Sequence, residues 1–121
     1  MVAYSFNRRF APLIISGEKT HTVRKSRHRD ARPGEELQLY TGMRTKTCQL
    51  IGRATCAEVL PIVLDLGKRR VTIGGKVHEA EAFARSDGFE DWADLCRFWA
   101  KNHPGVAVFR GIIIRWKDFR R

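Results

Sequence analysis

The sequence has 121 residues, of which 23 are lysine or arginine and 13 are aspartate or glutamate, so its formal net charge is +10. This length suits a single domain spanning residues 1–121 and is too short for two. No apolar run approaches the roughly 18 residues of a membrane span, and the N-terminus lacks a signal-peptide pattern. Three cysteines without metal-type spacing favour a reducing compartment. We therefore expect a cytoplasmic protein with no membrane partner.

The first half of the chain is predicted to form strands around one short helix. Four segments are β-prone, three of them short and one long: Val2–Phe6, Thr20–Arg24, Glu36–Tyr40 and Thr47–Val63. Pro12 and Gly17 delimit a helix of two turns or fewer, because proline is tolerated in a first turn and glycine closes a helix. Gly52 indicates a bulge in the long fourth segment, which is either one bent strand or two.

The second half adds a hairpin, two helices and a closing strand. Gly74 and Gly75 predict a tight turn within Val71–Val77. Residues 78–85 are a modest helix candidate, and an apolar stripe predicts a stronger helix over Phe89–Lys101. Asp87 stands three residues before Glu90, as in a capping box, which makes Asp87 a candidate helix N-cap. With Val106–Trp116 as the last strand, the pattern predicts an α+β fold with a barrel-like sheet.

Positive charge is concentrated between residues 19 and 32. Six basic residues occur there, with few acidic ones between them: Lys19, Arg24, Lys25, Arg27, Arg29 and Arg32. A small basic domain most often has an anionic partner, and nucleic acid is the commonest. We expect these residues to contact RNA or a nucleotide-like ligand through phosphates. The alternative is that the charge serves solubility alone.

The strand from Thr20 to Arg24 carries the candidate chemistry. Thr20, Thr22 and Arg24 share one face of a strand, and Lys19 stands at its entry. A lysine, a hydroxyl and a guanidinium can bind a phosphate or carbonyl oxygen, or form a nucleophile with its base. The alternative is a polar strand with ordinary solvent-facing charges.

Residues outside the basic segment and this strand give weaker indications of a binding or catalytic role. Tyr40 is a candidate for stacking on a base, although packing in the core is an equal alternative. His21 is interpreted as a partly buried strand residue rather than a ligand, and Trp92 and Trp99 as core residues. No cysteine–histidine cluster has zinc spacing, and no glycine-rich loop resembles a phosphate-binding motif, so we expect no metal or cofactor.

Several segments, in order, resemble the ASCH domain. They are G-x-K-T-x-T-x-R at residues 17–24, P-G-E-E-L at 33–37, D-G-F-x-x-W at 87–92 and the closing strand at 109–116. The resemblance extends from about Phe10 to Trp116. It implies a PUA-like mixed β-barrel with two or three flanking helices, related to RNA-binding modules. It also implies a cleft lined by the G-x-K-T segment.

Within this superfamily, the layout is similar to that of the small bacterial N(4)-acetylcytidine amidohydrolases. That family uses a lysine, a threonine and a glutamate, which the resemblance carries to Lys19, Thr22 and Asp87. Asp87 is one methylene shorter than the family's glutamate. In the implied reaction, neutral Lys19 takes a proton from Thr22, Asp87 orients Lys19 or a water, and Arg24 or backbone N–H groups hold the oxyanion. Other ASCH proteins, which the sequence resembles equally, imply RNA binding without catalysis, or RNA cleavage.

Overall fold

The computed structural model describes all 121 residues, as one mixed sheet with three α-helices. The seven strands are β1 (Val2–Phe6), β2 (His21–Arg24), β3 (Glu36–Thr41), β4 (Gln49–Asp65), β5 (Arg70–Ile73), β6 (Lys76–His78) and β7 (Val108–Arg120). The helices are α1 (Ala11–Ser16), α2 (Ala80–Ser86) and α3 (Trp92–Asn102). None of these helices has the length and apolar character needed to cross a bilayer. The predicted α+β class is confirmed.

The long strands β4 and β7 form the centre of the sheet. They pair antiparallel over most of their lengths, and β3 and β5 pair with successive parts of the other edge of β4. β1 adds to β3 in the parallel sense, and β2 adds antiparallel to β7. Gly111 of β7 lies so close to β2 that a Cβ there would come within 2.4 Å of the Arg24 carbonyl oxygen. This close approach of the two backbones requires glycine.

The sheet is not closed into a barrel, so the expected PUA-like mixed β-barrel is corrected to an open mixed sheet with three flanking helices. β1 pairs only with β3 and β2 only with β7, so β1 and β2 do not pair with each other. Two arginine side chains join them instead. Arg24 Nη2 donates to the Ser5 carbonyl at 2.6 Å, and Arg27 Nη2 donates to the Ala3 carbonyl at 3.1 Å. The free edge of β1 is therefore satisfied by guanidinium groups, because no backbone N–H of β2 reaches it.

Local signals in the sequence predicted most of the elements. Gly17 closes α1 at φ +83°, and Gly74 and Gly75 form the β5–β6 turn at φ +55° and +84°. The predicted long strand is one continuous element, β4. Its register against β3 shifts where Leu39 pairs with Gly52, as expected for a bulge.

The predicted start of the strongest helix is wrong, and so is the predicted capping box. α3 begins at Trp92, and its N-cap is Asp91, whose side chain accepts from the Asp94 N–H at 2.8 Å. Asp87 instead ends α2, where its backbone N–H donates to the carbonyl of Phe83. The reason is Gly88, which takes φ +98° and terminates α2 before the chain turns. The Asp87 side chain is therefore free of any capping role.

One hydrophobic core holds the helices on the sheet. It contains 26 buried residues, among them Ile14 of α1, Leu95 of α3 and Ile113 of β7. Trp92 and Trp99 belong to it, as expected from the apolar stripe. Burial of side chains of this size contributes about 1.5 to 3 kcal/mol each. This packing fixes the end of α2 against the segment between α1 and β2, and the candidate site lies at that junction.

Candidate active site

Lys19 and Asp87 form a buried ion pair. Lys19 follows the end of α1, where its backbone N–H donates to the Leu13 carbonyl at 3.0 Å. Its Nζ donates to Asp87 Oδ1 at 2.8 Å and to the Asp87 carbonyl oxygen at 2.6 Å. Lys19 is 3% exposed and Asp87 is 4% exposed. An ammonium and a carboxylate, 68 positions apart in sequence, are thus in direct contact and almost out of water.

Burial and charge act on this pair in opposite directions. Burial lowers the pKa of Lys19 below its usual value, since it disfavours the charged form; Asp87 opposes that shift and Arg24 reinforces it. Burial alone would raise the pKa of Asp87, but the adjacent Lys19 ammonium and His21 outweigh it and hold that pKa below its usual value. Asp87 is therefore ionised at neutral pH, and Lys19 is easier to deprotonate than an exposed lysine.

Thr22 and Arg24 share the face of β2 that borders the same cleft. Thr22 is buried, and its Oγ1 accepts a hydrogen bond from Arg24 Nε at 2.9 Å. Burial lowers the pKa of Arg24 to about 10, and Arg27 adds to that shift. The guanidinium lies 4.8 Å from the Phe6 ring centroid. Thr22 thus makes its hydrogen bond to Arg24, and no hydrogen bond joins it to Lys19.

These polar groups line a cleft of about 520 Å³. The structure brings five of the predicted site residues to this cleft: Lys19, Thr22, Arg24, Lys25 and Asp87. The rest of the lining is largely aromatic, with rings from Phe6, Phe10, Phe89, Phe98, Trp99 and Phe109. Phe10 packs edge-on against Phe89, with centroids 5.4 Å apart. A volume of this size is typical of small-molecule sites.

Five predicted ligand residues lie outside the cleft. Thr20 is exposed, and its carbonyl accepts from the Trp116 N–H at 2.9 Å. Arg27 lies over the Tyr4 ring as well as on the edge of β1. Arg29 forms an ion pair with Glu35 at 2.6 Å, and the Tyr40 hydroxyl donates to Gln38 at 2.9 Å. The Arg32 side chain is exposed.

His21 is the residue of the site that the sequence reasoning missed. It is 7% exposed, and its Nε2 lies 3.0 Å from Asp87 Oδ1, the same oxygen that accepts from Lys19. His21 Nε2 has no hydrogen-bond partner, so its contact with Asp87 is electrostatic. Only its position between Lys19 and Thr22 could have suggested a role.

The site contains no cluster of three or more His, Cys, Asp or Glu side chains suited to hold a metal ion. What it offers is a buried lysine, a hydroxyl and a carboxylate, in a cleft with an aromatic wall. Such a set can bind a flat polar ligand and move a proton.

Comparison with known proteins identifies the fold. No protein-family model matches the sequence, and no curated protein matches it either. The structure is similar to the crystal structure of ASCH from Zymomonas mobilis, with a TM-score of 0.58 and 16% sequence identity. The match covers 98% of this chain and 67% of that one. An identity this low defines the shared fold and not a shared activity. The chain therefore shares its fold with this ASCH structure, in agreement with the ASCH resemblance of its sequence motifs.

Proposed function

We propose that the cleft binds a modified nucleoside, free or within RNA, and hydrolyses an acyl amide on its base. The observation that carries this proposal is the buried Lys19–Asp87 pair, which shares an aromatic-walled cleft with the Thr22 hydroxyl. Enzymes place titratable groups in such partly apolar pockets because burial tunes their protonation.

The shape and chemistry of the cleft suit a nucleobase. Aromatic rings such as Phe10 and Trp99 offer faces or edges on which a flat base packs. Lys25, exposed at the same cleft, and Arg24 supply donors for a carbonyl or phosphate oxygen. A cleft of about 520 Å³ has room for a nucleoside, and it is open enough for a nucleotide that continues into a chain.

The reaction divides between Thr22 and Lys19. Thr22 Oγ1 attacks the carbonyl carbon of the acyl amide and passes its proton to neutral Lys19. The carbon–nitrogen bond then breaks, and Lys19 gives the proton to the departing amine. Water finally hydrolyses the acyl ester left on Thr22. The lowered pKa of Lys19, caused mainly by burial, supports its part as a base.

Arg24 and Asp87 assist these steps. Arg24 Nε donates to Thr22 Oγ1, so it stabilises that oxygen as negative charge develops during deprotonation. Asp87 holds the Lys19 ammonium at 2.8 Å and fixes its direction. Asp87 is one methylene shorter than the glutamate of the amidohydrolases. Its carboxylate nevertheless contacts Lys19 Nζ directly, and the role of orienting Lys19 requires only this contact.

The test is hydrolysis of N(4)-acetylcytidine, followed by chromatographic separation of cytidine. Thr22→Val keeps the shape of the side chain but removes the nucleophile, and we expect turnover to fall about 100-fold or more. Thr22→Ser keeps a hydroxyl and should retain measurable activity. Thr20→Val is the matched control, because Thr20 lies on the same segment but outside the cleft. Equal activities of the two valine variants, or no hydrolysis by the wild type, would contradict the proposal.

RNA binding without catalysis is the second candidate, and the surface charge favours it. Lys25 lines the cleft, and Arg44 and Lys46 belong to the loop that leaves the cleft at Gly42. None of these three cations takes part in an ion pair of the structure. Unpaired cations beside an aromatic cleft match the general pattern of single-strand binding.

Anisotropy titrations of a short labelled RNA test this candidate. We expect affinity to fall steeply as salt rises, because phosphate contacts release counterions. A triple variant with glutamine at Lys25, Arg44 and Lys46 should bind more weakly and show a shallower salt slope. The matched control places glutamine at Lys68, Arg70 and Lys76, around β5 and β6. If both triple variants bind RNA equally well, the cleft is not the RNA site, and shortened RNA products would instead indicate a nuclease.

A further inference from the structure

A second cavity of about 300 Å³ adjoins His21. His78, Glu79, Ser86 and Arg115 also line it, and it shares no lining residue with the first cleft. His21 nevertheless reaches the chemistry of the first cleft through Nε2, which lies 3.0 Å from Asp87 Oδ1. His21 is therefore the side chain that connects the second cavity to the Lys19–Asp87 pair.

The position of the His21 ring defines which nitrogen can titrate. We assign the proton of the neutral ring to Nε2, because a carboxylate oxygen 3.0 Å away repels the negative partial charge of an unprotonated ring nitrogen. Nδ1 is then the nitrogen left to exchange a proton, whereas the nitrogen that is buried without a hydrogen-bond partner is Nε2. Phe83 stacks on the ring, with centroids 5.6 Å apart and planes 16° apart, and this contact fixes its orientation.

We propose that His21 is a positioning residue of the Lys19–Asp87 pair. His21 exchanges its proton through the second cavity, and its charge controls how firmly Asp87 holds the Lys19 ammonium. Asp87 Oδ1 faces both Nζ of Lys19 and Nε2 of His21. When His21 is an imidazolium, two cations share one carboxylate oxygen and repel each other. The ammonium form of Lys19 is then less favourable than it is beside neutral His21.

Charged and titratable groups face His21 from several elements of the fold. Asp87, at the end of α2, and Glu79, at its start, favour the imidazolium. Lys19 across Asp87, Arg115 on the paired strand β7 and His78 on β6 oppose it. Histidine is the side chain whose charge ordinarily changes between about pH 5 and 8. The consequence for catalysis rests on the proposed function, in which neutral Lys19 is the base, whereas the coupling itself does not.

The test is an NMR titration of the whole protein, with no substrate. The ring signals of the histidines and the ¹³Cε signal of Lys19 are followed against pH in the wild type, His21→Phe, His21→Gln and His78→Gln. His21→Phe keeps a stacking ring and His21→Gln keeps a polar group, but neither carries a titrating charge. His78→Gln is the matched control, because His78 lines the same cavity without contacting Asp87.

We expect the wild-type Lys19 signal to show an inflection at the pH where His21 titrates. That inflection should vanish in both His21 variants and persist in His78→Gln. A wild-type Lys19 curve without this inflection overturns the proposal, even if neither His21 variant folds. Failure to hydrolyse N(4)-acetylcytidine would refute the proposed function and leave the titration result standing, so the two failures are distinguishable.

Discussion

Asp87→Asn removes the negative charge from a buried lysine while it keeps the size of the side chain. Both Lys19 hydrogen bonds go to Asp87, one to the carboxylate and one to the backbone carbonyl. The carbonyl bond survives the substitution, and the asparagine oxygen remains an acceptor, so the loss is mainly that of charge. Removing one partner of a buried pair costs about 3 to 5 kcal/mol. We therefore expect a loss near the lower end, about 3 kcal/mol.

Urea unfolding, followed by the fluorescence of the buried tryptophans, measures this loss. In a separate thermal unfolding experiment, a loss of about 3 kcal/mol in a chain of this length corresponds to a fall in Tm of roughly 10 °C. Arg69→Gln is the control, since Arg69 forms a surface pair with Glu81 in which its own side chain is 56% exposed. Exposed pairs contribute about 1 kcal/mol or less. Lys19→Met and the double variant Lys19→Met/Asp87→Asn complete a cycle, in which the double variant should lose less than the sum of the single losses.

If Asp87→Asn loses no more stability than Arg69→Gln, the buried Lys19–Asp87 pair does not stabilise the fold as its contacts indicate. Strict additivity of the Lys19 and Asp87 substitutions would lead to the same conclusion, because it would mean that the two side chains do not depend on each other.

Two further predictions follow from the same contacts. Because the pKa of Asp87 lies below its usual 3.8, the stability that Asp87 contributes is present above about pH 4 and is lost as pH falls through the lowered value. The difference between wild type and Asp87→Asn in urea should thus narrow below about pH 4, and a constant difference down to pH 3 contradicts the assignment. Arg24→Met leaves the Ser5 carbonyl without its donor, and should cost about 1 to 3 kcal/mol by urea unfolding. Lys25→Met, at the exposed neighbouring position, should cost far less, and equal losses would count against the bridging role of Arg24.

The sequence by itself determined the elements whose signals are local. β-prone segments predicted β1 and β3. Glycines predicted the end of α1 and the β5–β6 turn, because a positive φ is a property of one residue. The resemblance to ASCH domains named Lys19, Thr22 and Asp87, and these three line one cleft. The capping box failed because the same D-x-x-E/D spacing occurs at residues 87–90 and 91–94, and local spacing alone cannot choose between them.

Only the tertiary structure decided how the site is held. The burial of Lys19 against Asp87 and the contact of His21 with the same oxygen depend on packing between segments more than 60 positions apart. The role of Arg24 and Arg27 at the open edge of β1 depends equally on where β2 stops relative to β1. Burial and charge pairing arise from the packing of distant segments. A pattern along the chain can therefore name the groups, whereas the fold determines their partners and their charge.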